Sequence, residues 1–483
     1  MVREKSTIPD WDEEELFELL WKPIENIQRI TEILVNFILK ENYIYTTRED
    51  NKNEIWIYDS GVYVPNGRSR IKEKLRELLY ANYNLLIVNK TLDKIETDTY
   101  IDSDKFFEDK SELVEIIPVE NGLLNIRTRK IEQFNPEKIF FNKLPVEYNL
   151  NAKCPMIEKF LSDTLPSQDI VELFYEIAGF GLVKEYRYEV AFMFSGKGRN
   201  GKGKCLELLK QFVGIKNCCA LPLSKISGDS FELSELKNKL FNLAGDIDHN
   251  DLEDTATFKT ITGRDLVTAK RKFLNPIHFH NYSKQIFACN ELPMVFDMTR
   301  GFWDRWILID FPFTFVTKQE YDSAPENKKK NLKIRDENII SHILNKQELS
   351  GLLNKALDGF DRLTTNKGFR ASSNLEELRI NWLRKANSFN AFCLDNLKQD
   401  FDAEISKKWL RKKYQEYCKS NESRGVSDKV IVRTLQELFG ADDRQEYGTG
   451  NRYWTGINWL KEEMKEPQKK LDNSKPPTTT WNI

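Results

Sequence analysis

At 483 residues the chain is long enough for about three domains, and a hydrophobic content of 40% allows a sizeable core. The net charge of −2 excludes a global basic field, so any nucleic-acid surface has to be local. The 7 cysteines include no C-x-x-C pair, which argues against a zinc ribbon or a disulfide framework and for a reducing cytoplasm. We find no signal peptide and no apolar run near the ~20 residues that span a bilayer, so we expect a cytoplasmic protein without a membrane partner.

Residues 1–150 predict an α+β domain. Residues 14–40 carry apolar side chains at the period of a helix, and residues 68–80 predict a basic helix. Apolar runs with turn signals predict β-hairpins at 54–64 and 119–136. A predicted helical stretch then leads into the next part of the chain.

A glycine-rich loop follows, between a predicted strand at 191–194 and a helix that ends at Gly214. In that context G-x-x-x-x-G-K predicts a phosphate-binding loop, because glycines let successive backbone N–H groups face the phosphates and the helix dipole adds positive charge. Such loops also occur as plain turns, but the flanking strand and helix favour a nucleotide site. We expect Lys202 between the β- and γ-phosphates of ATP. The residues assigned to nucleotide binding are Gly196, Gly198, Asn200, Gly201, Lys202, Gly203 and Lys204.

Gly203 departs from the usual loop, in which Ser or Thr supplies a hydroxyl ligand to Mg²⁺. Magnesium therefore has to find its ligands elsewhere. The apolar run 240–245 predicts a strand that ends in Asp246 and Asp248, and we assign both to catalysis and to the metal. One carboxylate would order the Mg²⁺ shell and the other would polarise the attacking water. The D-x-D pairs at 10–12 and 102–104 stand in polar surroundings and predict solvated surface.

Three adjacent cations lie near the tip of a hairpin predicted for residues 267–280. They are Lys270, Arg271 and Lys272. A charge run of this kind is usually a solvated strand edge. In a ring-shaped motor the same cations would face the central channel and bind DNA phosphates.

Polar residues also flank two further predicted strands. Asn290 ends the strand 285–289, where its amide can orient water against the γ-phosphate. Arg300 and Arg305 precede the buried strand 307–309. An arginine finger acts on a neighbour's ATP by stabilising transition-state charge. We assign catalytic roles to Asn290 and Arg305, with Arg300 as the competitor.

The order of these motifs resembles the superfamily 3 helicases. The motifs are G-x-G-x-N-G-K, N-L-A-G-D-I-D, F-K-T-I-T-G-R-D, A-K-R-K, I-F-A-C-N-E-L-P and G-F-W-D-R-W. Within that group the chain looks most like the helicase half of phage, plasmid and poxvirus-type primase-helicases, over roughly residues 55–460.

The resemblance implies an α/β fold with an AAA+-like P-loop NTPase core, a homo-oligomeric ring that we expect to be a hexamer, and ATP-driven travel on single-stranded DNA and forked duplex DNA. It also implies the host-cell cytoplasm and, as a further partner, a separate primase or polymerase. The roles it carries over are phosphate contact for Lys202, Walker B for Asp246 and Asp248, sensor for Asn290, finger for Arg305, and DNA grip for Lys270, Arg271 and Lys272. Gly203 departs from the family pattern, and so does Arg264, which stands where a glycine is common.

The rest of the chain predicts three further segments. Residues 317–335 are highly charged and predict an exposed loop, and 339–363 predict a helix. Residues 385–460 predict three helices and a hairpin, the pattern of a winged helix-turn-helix. Residues 463–483 lack any period and predict a disordered tail. DNA contact and a solvated helix face fit the charges of the winged-helix region equally well, and these are Lys407, Lys408, Arg411, Lys412, Lys413, Lys429 and Arg433.

The predicted organisation is therefore an N-terminal α+β domain (1–150), a motor (151–370), a winged-helix domain (385–460) and a tail. The favoured function is an ATP-dependent DNA helicase of a virus, plasmid or integrated element. A DNA-binding initiator or remodeller without processive unwinding would carry the same motifs. Primer synthesis by residues 1–150 is disfavoured, since they contain neither a zinc ribbon nor a strand-borne acid cluster.

Overall fold

The protein has a mixed α/β fold. The computed structural model describes residues 13–48, 53–108, 111–226, 231–245, 255–272, 274–295, 297, 299–369, 375–448, 450–461 and 464–465. They divide into two compact units: the first reaches residue 290 and resumes at 297–372, and the second comprises 291–296 and the residues from 373 onward.

The first unit begins with helices around a four-stranded sheet and a three-stranded antiparallel sheet. Their elements are α1 (Glu13–Leu19), α2 (Ile27–Glu41), β1 (Ile44–Thr47), β2 (Glu54–Asp59), β3 (Val62–Val64), α3 (Gly67–Leu79), α4 (Leu85–Asp98), β4 (Tyr100–Ile101), α5 (Ser103–Phe106), β5 (Ile116–Val119), β6 (Gly122–Asn125) and β7 (Ile131–Glu132).

Residues 14–40 are helical, as their apolar period predicted, but they form two helices and not one. Helix α1 ends at Leu19 and α2 begins at Ile27, with turns between them. Pro23 lies in this break, and proline has no N–H with which to continue a helical hydrogen-bond ladder. The apolar residues keep a helical spacing across the break because both helices pack against one core cluster, which includes Leu16, Ile30 and Leu34.

The rest of the first unit is built around a five-stranded parallel sheet. Its elements are α6 (Pro155–Thr164), α7 (Gln168–Phe180), β8 (Ala191–Ser195), α8 (Lys202–Val213), β9 (Cys218–Cys219), α9 (Leu223–Ile226), β10 (Phe241–Ala244), α10 (Ala256–Thr262), β11 (Leu266–Arg271), β12 (Leu274–His280), β13 (Lys284–Cys289), α11 (Arg300–Trp303), β14 (Trp306–Asp310), β15 (Thr314–Val316), α12 (Lys318–Ser323), α13 (Glu326–Lys329), β16 (Leu332–Ile334), α14 (Ile339–Ile343) and α15 (Lys346–Asn366).

The strand order of this sheet is β14-β8-β13-β10-β9. All its pairs are parallel, so the carboxyl ends of β8, β10 and β13 lie at one edge. Strands β8 and β13 are buried at every residue, as expected for a sheet covered on both faces. Strands β11 and β12 form a separate antiparallel hairpin.

Residues 317–335 are largely exposed, as predicted, but the prediction that they form a loop is wrong. The charged stretch forms α12 and α13, and β16 returns to pair in parallel with β15. Thr317 and Glu320 cap α12 reciprocally, each side chain accepting from the other's backbone N–H.

The second unit combines helices with a three-stranded antiparallel sheet of order β17-β19-β18. Its elements are α16 (Leu375–Ala386), α17 (Ser388–Asn396), β17 (Leu397–Ser406), α18 (Lys407–Ser420), α19 (Asp428–Phe439), β18 (Asp442–Gln445) and β19 (Arg452–Trp459). An aromatic and aliphatic core including Phe389, Phe392 and Trp454 joins helices to sheet. Across the described parts of both units, no helix has the length and apolar character needed to cross a membrane.

Candidate functional site

The glycine-rich loop connects the carboxyl end of β8 to the first turn of α8. Gly201 precedes α8 with φ +89°, a left-handed conformation that side chains rarely adopt. A Cβ at Gly196 would lie 2.7 Å from the carbonyl oxygen of Phe311, so only glycine fits there. The loop therefore turns tightly and aims the start of α8, with its unpaired N–H groups, at the edge of the sheet.

Lys202 is the first residue of α8 and is only 5% exposed. Its ammonium donates to the Gly196 carbonyl and to Asn290 Oδ1, the second at 3.2 Å. Asn290 follows β13, whose last residue Cys289 pairs with Ser195 of β8. The parallel register thus brings together two predicted site residues that lie 88 positions apart.

The other loop residues differ in what surrounds them. Asn200 is buried, and its side-chain amide donates to the Phe311 carbonyl at 3.4 Å, so it braces the loop against the residue after β14. A Cβ built at Gly203 meets no atom of the described residues within 4 Å, so a serine or threonine would fit. The missing hydroxyl is therefore a feature of the sequence and not a steric requirement.

The predicted carboxylates Asp246 and Asp248 lie outside the described residues. Strand β10, which precedes them, pairs with β13, and a Cβ at Gly245 would stand 3.6 Å from Leu206 of α8. The described chain thus reaches the flank of α8 before the carboxylates begin. Among the described residues no group of three or more His, Cys, Asp or Glu side chains could hold a metal ion.

A cleft of about 510 Å³ opens beside the loop. Arg199, Gly201 and Lys204 form its loop side. Residues of α6, β15, β16, α14 and the segment between β16 and α14 complete the lining, with apolar Met156, Phe160, Phe315, Ile334 and Ile339 and charged Lys159, Asp163, Arg335, Asp336 and Glu337. The volume lies in the range of roughly 300–1,000 Å³ typical of small-molecule sites. Sequence reasoning missed this wall, since its residues are scattered from 156 to 339.

Arg199, in the middle of the loop, forms a two-point ion pair with Glu320 of α12, at 2.6 and 3.1 Å. The Arg199 guanidinium, followed by the Thr317 backbone N–H, lowers the pKa of Glu320 to about 2. The backbone adds a second link, because Phe315 donates to the Arg199 carbonyl at 2.6 Å. The loop is therefore attached to the segment that forms the cleft wall, a contact that no sequence motif signals.

The cation-bearing hairpin buries one face and exposes the other. Val267 and Ala269 point inward, whereas Lys270 is exposed on the same face as His278 and His280. The register shifts by one residue between Ala269 and Arg271, and β12 carries the extra residue, so that Asn275 and Pro276 lie opposite Lys270. The three predicted DNA-binding cations, Lys270, Arg271 and Lys272, thus stand together at the end of the hairpin.

The two arginines considered for the finger differ in exposure. Arg305 is 18% exposed and contacts Glu189 at 3.4 Å, whereas Arg300 is 83% exposed and pairs with Asp304. Arg305 precedes β14 and its carbonyl accepts from Ala191, the first residue of β8. It therefore lies at the amino ends of the strands, and the glycine-rich loop lies at their carboxyl ends, about 13 Å away along a five-residue strand.

Asp297 connects α10 to the segment before α11. It accepts from Lys259 at 2.8 Å, from the Thr255 hydroxyl, and from the Thr299 backbone N–H at 2.8 Å. Burial alone would raise the pKa of Asp297, but these hydrogen bonds outweigh it and hold the pKa below its usual range. The sequence predicted no role for Asp297, because nothing in its spacing links it to Lys259.

In the second unit, acidic neighbours neutralise part of the basic helix α18. Lys407 pairs with Asp443 and Arg411 pairs with Asp428, each at 2.6 Å. Lys429 of α19 is exposed. Lys408, Arg411 and Lys412 nevertheless stay exposed on α18, so DNA contact and a solvated face both fit this helix.

Two family descriptions match this chain. Residues 7–166 match the family described as D5 N terminal like, and residues 194–305 match a family of unknown function. The second span runs from β8 to Arg305 and so includes the glycine-rich loop, the hairpin and Asn290.

Two viral proteins are similar in sequence. A Putative helicase of Acanthamoeba polyphaga mimivirus is 30% identical over 170 residues, which is 34% of this chain and 18% of that protein. A Putative helicase of Invertebrate iridescent virus 3 is 22% identical over 363 residues, covering 66% of this chain and 38% of that protein. The matched regions thus span well under half of either relative. Among solved structures, the apo C-terminal region of NrS-1 aligns with 88% of this chain and 98% of its own, at 15% identity and a TM-score of 0.41.

Proposed function

We propose that the chain is an ATP-dependent DNA helicase of the viral, superfamily 3 kind, with an AAA+-like motor. The observation that carries the proposal is the contact between Lys202 Nζ and Asn290 Oδ1 at the edge of a parallel sheet. A lysine at the start of a helix and an amide on the adjacent strand are suited to hold a γ-phosphate and to orient the water that attacks it. Similarity to two viral proteins named as putative helicases supports the same reading.

In this proposal ATP lies across the loop. Its phosphates meet the N–H groups at the start of α8 and the Lys202 ammonium, and its base and ribose extend into the 510 Å³ cleft. The cleft suits a nucleoside because its lining combines apolar Phe315 and Ile339 with polar Arg199 and Lys204. Catalysis would then depend on position and charge, as in other phosphoryl transfers.

A Mg²⁺ ion held beside the loop would supply positive charge against the charge that develops on the phosphates. Mg²⁺ commonly takes one or two carboxylates together with phosphate oxygens and water, so its site does not need a dedicated cage of protein ligands. We assign those carboxylates to Asp246 and Asp248. The open space at Gly203 leaves room for a water in place of the usual hydroxyl.

We further propose that subunits assemble as a ring, expected to be a hexamer, around single-stranded DNA. The hairpin cations would bind its phosphates. A finger arginine would complete the neighbour's site, because Arg305 lies at the far end of β8 from its own phosphate loop. The second unit would act as a winged-helix module, with a separate primase or polymerase as partner.

The test is strand displacement from a labelled forked duplex by the purified chain with ATP and Mg²⁺. Displacement by the wild type, and none by Lys202→Ala, is the expected result. If DNA stimulates ATP hydrolysis but no strand is displaced, the proposed function is an initiator or remodeller and not a helicase. A wild-type chain without any ATP hydrolysis would refute the nucleotide site itself.

A further inference from the structure

A second cleft of the first unit, about 540 Å³ in volume, lies between the N-terminal sheet region and the β11–β12 hairpin. The N-terminal region contributes Arg48, Trp56 and Phe107. The opposite side contributes Lys237, Arg271 and His278. Nothing in the proposed motor chemistry uses this cleft, although one of its walls belongs to the predicted DNA-binding hairpin.

The chemistry of the cleft suits a nucleotide better than a simple anion. Three cations, Arg48, Lys237 and Arg271, line it together with two acids, Glu54 and Asp104. Guanidinium and ammonium groups bind phosphates, whereas carboxylates accept hydrogen bonds from the amino groups of bases. In a site that binds only phosphate, the carboxylates of Glu54 and Asp104 would add no affinity.

An aromatic wall completes the arrangement. The rings of Trp56 and Phe107 meet edge to face, with centroids 5.4 Å apart, and the Lys237 ammonium stands 3.7 Å from the Phe107 ring centroid. Bases pack well against such surfaces. Trp56 is 8% exposed, and its indole N–H is buried without an acceptor among the described residues. An unpaired buried donor costs free energy that a ligand oxygen could recover after a small side-chain shift.

The position of the cleft beside the predicted DNA-binding hairpin indicates that its ligand is part of the same single-stranded DNA. Arg271 lies both in the hairpin and in the cleft wall, where its Nε donates to the Asn275 carbonyl at 3.3 Å. The Arg48 guanidinium pairs with Asp102 at 3.7 Å and lies 5.3 Å from the Tyr100 ring centroid, but its side chain is 61% exposed, so it can reorient toward a ligand. The volume exceeds the lower limit for small-molecule sites, about 300 Å³, and accommodates a nucleotide.

We propose that this cleft binds a nucleotide of the single-stranded DNA that leaves the hairpin, with Arg48 and Lys237 on its phosphates and the Trp56–Phe107 wall against a base. The inference rests on the proposed function, which it extends by giving the N-terminal region a direct contact with the translocated strand.

The first test uses the wild-type chain, so it does not depend on how variants fold. A single strand that carries 5-iododeoxyuridine is photocrosslinked to the protein with a non-hydrolysable ATP analogue present, and the crosslinked peptides are mapped. Crosslinks within residues 53–58 or 103–108 are expected. Crosslinks confined to hairpin residues outside the cleft wall, 264–270, 272 and 279–280, would overturn the cleft and leave only the hairpin.

The second test compares two double variants that each lose two positive charges. The variant Arg48→Ala/Lys237→Ala removes the proposed phosphate contacts. The control, Lys94→Ala/Lys138→Ala, removes cations of the N-terminal region that pair with Glu32 and Glu132 outside the cleft. Each lost contact with a single strand lowers the salt slope of log affinity by about 0.7, so we expect a fall of about 1.4, or roughly 25-fold in affinity at 0.1 M salt.

If Arg48→Ala/Lys237→Ala has the same salt slope of log affinity as the control variant, the cleft does not bind DNA, but the helicase proposal is unaffected. A wild-type chain that binds no single-stranded DNA overturns both. Melting temperatures of the two double variants, measured in parallel, show whether any loss of binding reflects unfolding.

Discussion

Replacing Asn290 by aspartate tests the contact on which the nucleotide site depends. The substitution keeps the shape of the side chain and puts a carboxylate where the amide oxygen lies 3.2 Å from Lys202 Nζ. At that distance, and with an effective dielectric constant of about 20, the new ion pair gains about 5 kcal/mol. Lys202 would then be held by the carboxylate, which would also repel the γ-phosphate.

The expected result is a large loss of ATP affinity. Desolvation reduces the Coulomb gain, but even half of it, roughly 2.6 kcal/mol, corresponds to about 80-fold in Kd. Asn290→Ala is the matched control, because it removes the amide without adding charge. It should slow hydrolysis while leaving the Kd for ATP within a fewfold of the wild type.

Titration with a fluorescent ATP analogue in the presence of Mg²⁺ measures the Kd of each variant, and thermal unfolding shows whether each variant is folded. If Asn290→Asp binds ATP as tightly as Asn290→Ala, the side chains of residues 290 and 202 do not contact the same phosphate. The assignment of Asn290 as sensor would then be lost.

Four other predictions concern the same machinery. Lys202→Ala should abolish ATP hydrolysis while far-ultraviolet circular dichroism stays that of the wild type; turnover by the folded variant would contradict the site. Gly203→Ser should raise stability by about 0.5 kcal/mol through helix propensity, because its Cβ meets open space, and should keep ATP affinity; a lower melting temperature would show that the space is filled. Changing the three hairpin cations together to alanine should lower the salt slope of single-strand binding by about 2 units, at roughly 0.7 per contact, and an unchanged slope would return them to a solvated edge. Arg305→Ala and Lys202→Ala subunits, each inactive alone, should regain part of the ATPase when mixed, with Arg300→Ala as the control; no recovery in co-assembled rings would exclude a finger that acts between subunits.

The sequence by itself determined the local elements around the loop. A buried strand at 191–194 and a helix ending at Gly214 are confirmed by β8 and α8, and the cationic hairpin is confirmed by β11 and β12. These predictions succeed because apolar period, glycine placement and turn residues act over a few neighbouring positions.

Local patterns failed where distant partners decide the conformation. The charged stretch 317–335 has no apolar period, yet β16 forms because β15 offers it a parallel partner. Arg199, in the phosphate loop, then holds α12 through Glu320, 121 positions away. Charge correctly predicted solvent exposure but not the helices and strand, since a sequence does not show which partner a charged segment will meet.

The site itself is a product of tertiary structure. Sequence order named Lys202 and Asn290 separately, and the parallel pairing of β8 with β13 places them in hydrogen-bond contact. Carboxyl ends of parallel strands meet at one edge of a sheet, so residues far apart in the chain converge there. The walls of both clefts likewise come from segments without a shared motif, because a cavity is bounded by whatever the packing brings together.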